Sequence, residues 1–293
     1  MKKTKGKKRL WITAIAVIFI LILLFWGNTA IQITPITIED TRIPSSFDGF
    51  TIVQVSDLHN AEFGNRQERL LHAVKSISPD MIAITGDLID SNHTDIAKAM
   101  AFIKGSIKIA PVYYVTGNHE ARTNQYAELK QQMIEAGVII LSDESTSIKG
   151  RTDSIQLIGL DDPSFTDSGD SYERAVQMDA KLKALLTENN QYTVLLSHRP
   201  ELFDMYVENN INLVLSGHAH GGQVRLPFIG GIIAPNQGFF PRYSQGLYKK
   251  EQTNMVVSRG LGNSIMPLRI NNRPELIHIT FKVAKGANNM VNK

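Results

Sequence analysis

Five times along this chain an apolar, β-rich run ends directly in a cluster of acids, amides or histidines. Val53-Gln54-Val55 runs into Ser56-Asp57-Leu58-His59, and Ile82-Ala83-Ile84-Thr85 into Gly86-Asp87-Leu88-Ile89-Asp90. Tyr114-Val115-Thr116 runs into Gly117-Asn118-His119-Glu120, Leu195-Leu196-Ser197 into His198, and Leu213-Val214-Leu215-Ser216 into Gly217-His218-Ala219-His220. In open α/β sheets ligands gather beyond the carboxyl ends of the strands. A fold that sets these strands side by side therefore brings all five clusters to one crevice. Glycines 86, 117 and 217 let the backbone turn sharply where three of the strands end.

Taken singly, each cluster has an ordinary explanation. An Asp-x-His pair is common, and Gly-Asp after a strand is usually a turn. Gly-Asn-His-Glu is more specific and Gly-His-Ala-His more specific still. All five in this order, each at a strand end, make a strong signal for a metal centre. Carboxylates, an amide and imidazoles suit Mn, Fe or Zn rather than Ca or Mg alone. Five of the eight histidines (59, 119, 198, 218, 220) fall in these clusters. His72 and His93 read as helix or loop surface, and His278 as a strand residue.

The rest of the chain supports an α/β frame. Strands are expected at 51–55, 81–85, 112–116, 138–141, 155–160, 193–197, 213–216, 255–258 and 276–281, and helices at 65–76, 94–104, 124–135 and 172–188. Early strand–helix alternation followed by closely spaced strands points to two packed sheets flanked by helices. Residues 49–284 read as one catalytic domain, 28–48 as a linker and 285–293 as a polar tail. The chain has no cysteine, which excludes disulfides, thiolate metal sites, a cysteine nucleophile and a lipoprotein anchor.

Leu10 to Trp26 reads LWITAIAVIFILILLFW, long enough as a helix, at roughly 26 Å, to cross a hydrocarbon core. Residues 1–9 form a basic tail holding six cations, Lys2, Lys3, Lys5, Lys7, Lys8 and Arg9. That excess holds the tail on the cytoplasmic side and leaves everything after residue 27 outside. A retained single-pass anchor over 10–27 is favoured over a cleaved signal peptide: the apolar run is long, and Asn28 stands where a small residue would precede a cleavage site. The cell membrane, with the catalytic domain on its extracytoplasmic side, is the expected location. Without the basic tail, residues 10–293 hold 25 cations against 28 acids. This mildly acidic balance gives no reason to expect a nucleic-acid partner.

The series D-x-H, G-D-x-x-D, G-N-H-E, lone His and G-H-x-H resembles the calcineurin-like metallophosphoesterases over about residues 50–281. The 217–227 run and Ser258-Arg259-Gly260-Leu261-Gly262 resemble the membrane-associated bacterial branch, related to UDP-diacylglucosamine pyrophosphatases. The resemblance implies a four-layer α/β sandwich and two divalent metal ions. Asp57, His59 and His220 would hold one, Asp87 would bridge, and Asn118, His198 and His218 would hold the other. His119 would act on the leaving group with Asp90 fixing its tautomer. It further implies in-line attack on phosphorus by a hydroxide shared between the metals. Ser91-Asn92 stands where phosphoprotein phosphatases of the superfamily carry Arg-Gly, which argues against that activity.

A phosphodiester or pyrophosphate of a lipid- or glycan-linked envelope substrate is the expected target. A metal-binding protein with lapsed catalysis and a nuclease of the same superfamily are the alternatives. Arg122, Arg225 and Arg259 are candidate phosphate contacts, each equally readable as a surface ion-pair partner. The stretch LPFIGGIIAPNQGFFPRYSQGLY, residues 226–248, carries four glycines, three prolines and one charge, Arg242. It reads either as a cap on the second sheet or as an apolar flap beside the metals that meets lipid.

Overall fold

A computed structural model describes residues 2–166, 169–187, 191–263 and 268–284. The expected polar tail, 285–293, lies outside these residues, as does Glu188 at the end of the fourth expected helix. The chain opens with helix α1 (Lys2–Thr29). Its Arg9–Thr29 portion is 21 residues long and apolar enough to span a membrane, at roughly 32 Å.

Two six-stranded mixed sheets follow. The first comprises β1 (Gln32–Asp40), β2 (Thr51–Val55), β3 (Met81–Thr85), β4 (Val112–Val115), β5 (Ile139–Ile140) and β16 (Glu275–Val283), in the order β1-β16-β2-β3-β4-β5. The second comprises β6 (Glu144–Lys149), β7 (Ser154–Gly159), β8 (Thr193–Leu196), β9 (Leu213–Ser216), β14 (Gly246–Lys250) and β15 (Thr253–Val257), in the order β14-β15-β9-β8-β7-β6. Strands β2 to β5 run parallel, as do β7, β8, β9 and β15. Every polar cluster thus follows a strand of a parallel block; that of Asn118 follows β4 and opens helix α4 (Asn118–Ala121).

The two sheets pack face to face because their strands are apolar on both sides. On β2 and β3, Val53, Val55, Ile82 and Ile84 face α2 (Glu68–Ile77), α3 (Ile96–Ser106) and α5 (Tyr126–Ala136), while Ile52, Met81 and Ala83 face the other sheet. On β8 and β9, Leu195 and Val214 meet α6 (Ser171–Leu185) and α7 (Phe203–Glu208), and Val194, Leu196, Leu213 and Leu215 turn inward. The period-2 alternation therefore produces helix, sheet, sheet, helix, the expected four layers.

The linker expected over 28–48 is corrected by the structure. Its residues 32–40 form β1, paired in parallel with β16 from Gln32↔Glu275 to Asp40↔Val283. Pro35 is tolerated within β1 because this is an edge strand and needs donors along one side only. Strands β6 and β14 were also unanticipated, and both are edges of the second sheet. The 226–248 stretch folds into two short hairpins, β10 (Arg225–Leu226) with β11 (Gly230–Gly231) and β12 (Ile233–Ala234) with β13 (Gly238–Phe239), before β14.

Candidate metal centre

All seven expected ligands converge beyond the strand ends, and all are buried. Asp57, His59, Asp87 and His220 form one group of facing ligand atoms, and Asp87, His198 and His218 form a second. His59 Nε2 stands 3.2 Å from His220 Nε2 and 3.5 Å from Asp87 Oδ2. On the other side, His198 Nε2 lies 3.2 Å from the same Asp87 oxygen and 3.2 Å from His218 Nδ1. One carboxylate oxygen thus borders both groups.

The backbone is forced into unusual conformations to achieve this. Asp57 (φ 51°), His59 (44°), Asp87 (52°), His218 (66°) and His220 (46°) are all left-handed. Each such residue costs about 1–3 kcal/mol and persists only where its surroundings fix it. Here the loops hold one another: Asp57 N–H donates to Gly86 O, His59 N–H to Asp87 O, and Gly262 N–H to Asp57 O. The Asp57 carboxylate also accepts from His218 N–H at 3.1 Å and from Ser56 Oγ at 2.6 Å. Gly86 is required by close approach, since a Cβ there would stand 2.7 Å from the Gly117 backbone.

The side-chain atoms show that the residues fit metal ions. Asn118 Oδ1 is buried with no hydrogen-bond partner, an arrangement that is costly unless a cation takes the oxygen. His198 Nδ1 is 2.8 Å from Thr85 O, so it carries the proton and leaves Nε2 free to ligate. His218 turns Nδ1 toward His198, and its Nε2 has Asn236 Oδ1 and Arg199 Nη1 each 2.8 Å away.

Burial and neighbouring charges shift the imidazoles of the site in opposite directions. Burial opposes a charged His198, yet the Asp87 carboxylate outweighs it and lifts this ring to about 10. Burial, reinforced by Arg199, pushes His218 well below its ordinary value, and burial with the neighbouring His59 does the same to His220. Asp87, although buried, is held well below the usual carboxylate range by His198.

His119 stands against the first group, its ring 4.5 Å from that of His59 and nearly perpendicular to it. The expected Asp90–His119 hydrogen bond is corrected by the geometry. Asp90 Oδ2 is 3.8 Å from His119 Nδ1 and 3.6 Å from His59 Nδ1, so it lies between the two rings. Ser91 takes its place, with its N–H and its Oγ each 3.1 Å from His119 Nδ1. Accepting the Ser91 N–H leaves the proton of neutral His119 on Nε2. Burial holds His119 below its ordinary value, which favours that neutral ring.

Three further residues escaped sequence reasoning. Glu120 accepts from the N–H groups of Asp87, Leu88, Ile89 and Gly117, tying the two turns together. Its place in Gly-Asn-His-Glu was the available signal. Arg199, directly after His198, is buried and paired through Nε and Nη2 with Asp162. Its Nη1 donates to Asn236 Oδ1 at 2.8 Å. Asn236 lies in a Gly/Pro-rich loop with no pattern to mark it. Of the candidate phosphate contacts, Arg225 donates to Gly221 O and Arg259 pairs with Glu275, while Arg122 follows α4.

The calcineurin-like phosphoesterase profile matches residues 50–222, more than half of the chain. The chain is a calcineurin-like phosphoesterase. The uncharacterized metallophosphoesterase YkuE of Bacillus subtilis (strain 168) is 30% identical over 260 residues, covering 86% of each chain. A transmembrane protein with metallophosphoesterase domain from Bos taurus is 28% identical over 269 residues, 86% of this chain and 57% of its own. The phosphodiesterase YaeI of Escherichia coli (strain K12) is 26% identical over 239 residues, 78% of this chain and 80% of its own. This phosphoesterase is accordingly a metal-dependent phosphoester hydrolase with a candidate two-metal site, and its apolar N-terminal helix associates it with a membrane.

Proposed function

We propose that this phosphoesterase is a single-pass membrane enzyme that hydrolyses a phosphodiester or pyrophosphate of a lipid- or glycan-linked envelope substrate on the extracytoplasmic side. The observation that carries the two-metal reading is the shared oxygen, Asp87 Oδ2, within 3.5 Å of His59 Nε2 and 3.2 Å of His198 Nε2. Asp57, His59 and His220 would hold one ion and Asn118, His198 and His218 the other, with Asp87 between them. A pair of divalent ions, Mn, Fe or Zn, supplies Lewis acidity toward phosphoryl oxygens and an activated water.

The chain's own residues supply the rest. His119 presents Nε2–H, with Nδ1 held by Ser91, and is placed to hydrogen-bond the oxygen that leaves phosphorus and stabilise the charge developing on it. Asp90 supports the facing rings of His59 and His119. The six cations of the basic tail support the outward orientation, and the exported, mildly acidic domain counts against a nuclease. Retention of the leaving-group histidine counts against lapsed catalysis, since metal binding alone does not need it.

Hydrolysis of bis-nitrophenyl phosphate and of an aliphatic phosphodiester, with Mn²⁺ and after chelation, tests the reading. His119→Ala should keep its metals yet lose about 10²- to 10⁴-fold on the aliphatic ester, the usual contribution of a positioned acid. The loss should be much smaller on the nitrophenyl ester, whose leaving group needs little help. Equal rates for variant and wild type on the aliphatic ester would remove His119 from the reaction.

A further inference from the structure

We propose that the two hairpins after the last metal ligand, together with residues 268–273, form a bilayer-contact surface that lays the catalytic domain on the membrane beside the exit of α1. The inference rests on reading α1 as a membrane helix and deepens the proposed envelope function. Its first support is exposure. Phe228 is fully exposed at its turn, with Phe239 72%, Phe240 66% and Ile229 60% exposed. Leu226, Ile233, Leu268 and Ile270 join them. Phe228 and Phe240 are moreover left-handed, with φ of 66° and 54°. Such a backbone favours glycine or asparagine, so large aromatic rings there point to a use at the tips.

The second support is continuity with the membrane helix. Asn28, at the end of α1, is bonded both ways to the Arg269 backbone, accepting from its N–H at 2.7 Å and donating to its carbonyl at 3.0 Å. The Arg273 guanidinium lies 4.3 Å from the centre of the Trp26 ring. Ile270 pairs with Val224 and accepts the Arg225 N–H at 3.1 Å, which joins this segment to the first hairpin. A helix leaving the bilayer at Trp26 therefore delivers the hairpins next to the headgroups, where aromatic rings are stable.

Charge favours a lipid surface over a second copy of the chain or an apolar protein partner. Of the five arginines in residues 221–243 and 258–274, Arg242 is exposed, Arg225 and Arg273 are half-buried, and Arg259 and Arg269 are buried; these stretches hold no acidic residue. Apolar side chains flanked by cations are the composition that binds an anionic bilayer interface. The surface is also tied to the metal centre, since Asn236 Oδ1 lies 2.8 Å from His218 Nε2 and Asn272 Nδ2 donates to His220 O at 2.7 Å. Lipid contact at the hairpins thus places the two-metal site at headgroup level, where a lipid-linked phosphoester presents its phosphorus.

The absence of cysteine makes the test clean. Phe25→Cys, Phe228→Cys, Phe239→Cys and Ile134→Cys are each made in the full chain, labelled with bimane and reconstituted into phosphatidylcholine–phosphatidylglycerol vesicles containing nitroxide-labelled acyl chains. Ile134, 51% exposed on α5, precedes β5, the edge of the first sheet opposite β1, and reports a surface apart from the hairpins, while Phe25 reports α1 itself. Strong lipid quenching is expected at 25, 228 and 239 and little at 134. Quenching at 25 without quenching at 228 and 239 would overturn the surface while leaving the anchor. No quenching at 25 would overturn the anchor and the surface together. Labels at 228 that are shielded from lipid but report contact between chains would assign the patch to a second copy and overturn the proposal. Hydrolysis of bis-nitrophenyl phosphate by the same vesicles reads the phosphoesterase function separately.

Discussion

The two halves of the candidate metal centre are built by different means. The half formed by Asp57, His59 and His220 relies on charge: it has its own carboxylate besides the shared Asp87, and Asp90 stands 3.6 Å behind His59. Its imidazoles are loosely oriented, because the Nδ1 atoms of His59 and His220 are buried without hydrogen-bond partners. The half formed by Asn118, His198 and His218 relies on orientation. Both its rings have their outer nitrogens fixed at 2.8 Å, by Thr85 O and Asn236 Oδ1. Its only carboxylate is the shared one, and Arg199 stands beside His218. The comparison teaches that neighbouring sites of similar composition can combine charge and preorganisation in opposite proportions.

The largest expected effect comes from removing what the halves share. Asp87→Asn should strip most of both ions and reduce hydrolysis to background, as read by elemental analysis and assay of the same sample. Retention of one full equivalent would show that Asp87 belongs to one half only.

Next comes the difference between the halves. An additional carboxylate about 4 Å from a divalent ion contributes several kcal/mol even when well screened, part of it lost to desolvation. The Asp57 half should therefore bind its ion at least about tenfold tighter, a difference of about 1.4 kcal/mol. In calorimetric titration, His198→Ala should keep the tight event and lose the weak one, and His59→Ala should do the reverse. The opposite assignment would mean that orientation outweighs charge here.

A smaller effect is expected behind the rings. Asn236→Ala removes a polar partner of His218 Nε2 and should weaken the second ion about 10- to 100-fold, the usual cost of losing such a partner. The first ion should be unaffected. An equal loss at both would indicate a general disturbance of the hairpin.

How much of this was legible in the sequence follows from what each residue must satisfy. The inner strands β2, β3, β8 and β9 are buried on both faces, so their apolar runs located them to within a residue. Edge strands β1, β6 and β14 have solvent along one side, tolerate Pro35 or the polar run Glu144-Ser145-Thr146-Ser147, and leave no such trace. The same contrast holds at the site. The candidate ligands sit where strand ends impose a motif, so the sequence alone marked all seven residues that converge. Their supports contact the site from loops in which position is set by tertiary folding: Ser91 rather than Asp90 meets His119, and Asn236 arrives from a hairpin far along the chain. The pairing of β1 with β16 spans the whole domain, and no local pattern encodes it.

The central claim is a pair of ions sharing Asp87, and anomalous scattering from crystals soaked in Mn²⁺ tests it most directly. Two peaks about 3.5–4 Å apart are predicted, the usual spacing of a two-metal site, one against Asp57, His59 and His220 and the other against Asn118, His198 and His218. Asp87 should lie between them. A single fully occupied peak, or a second one held by Asp90 and His119 instead of Asn118, His198 and His218, would contradict the account.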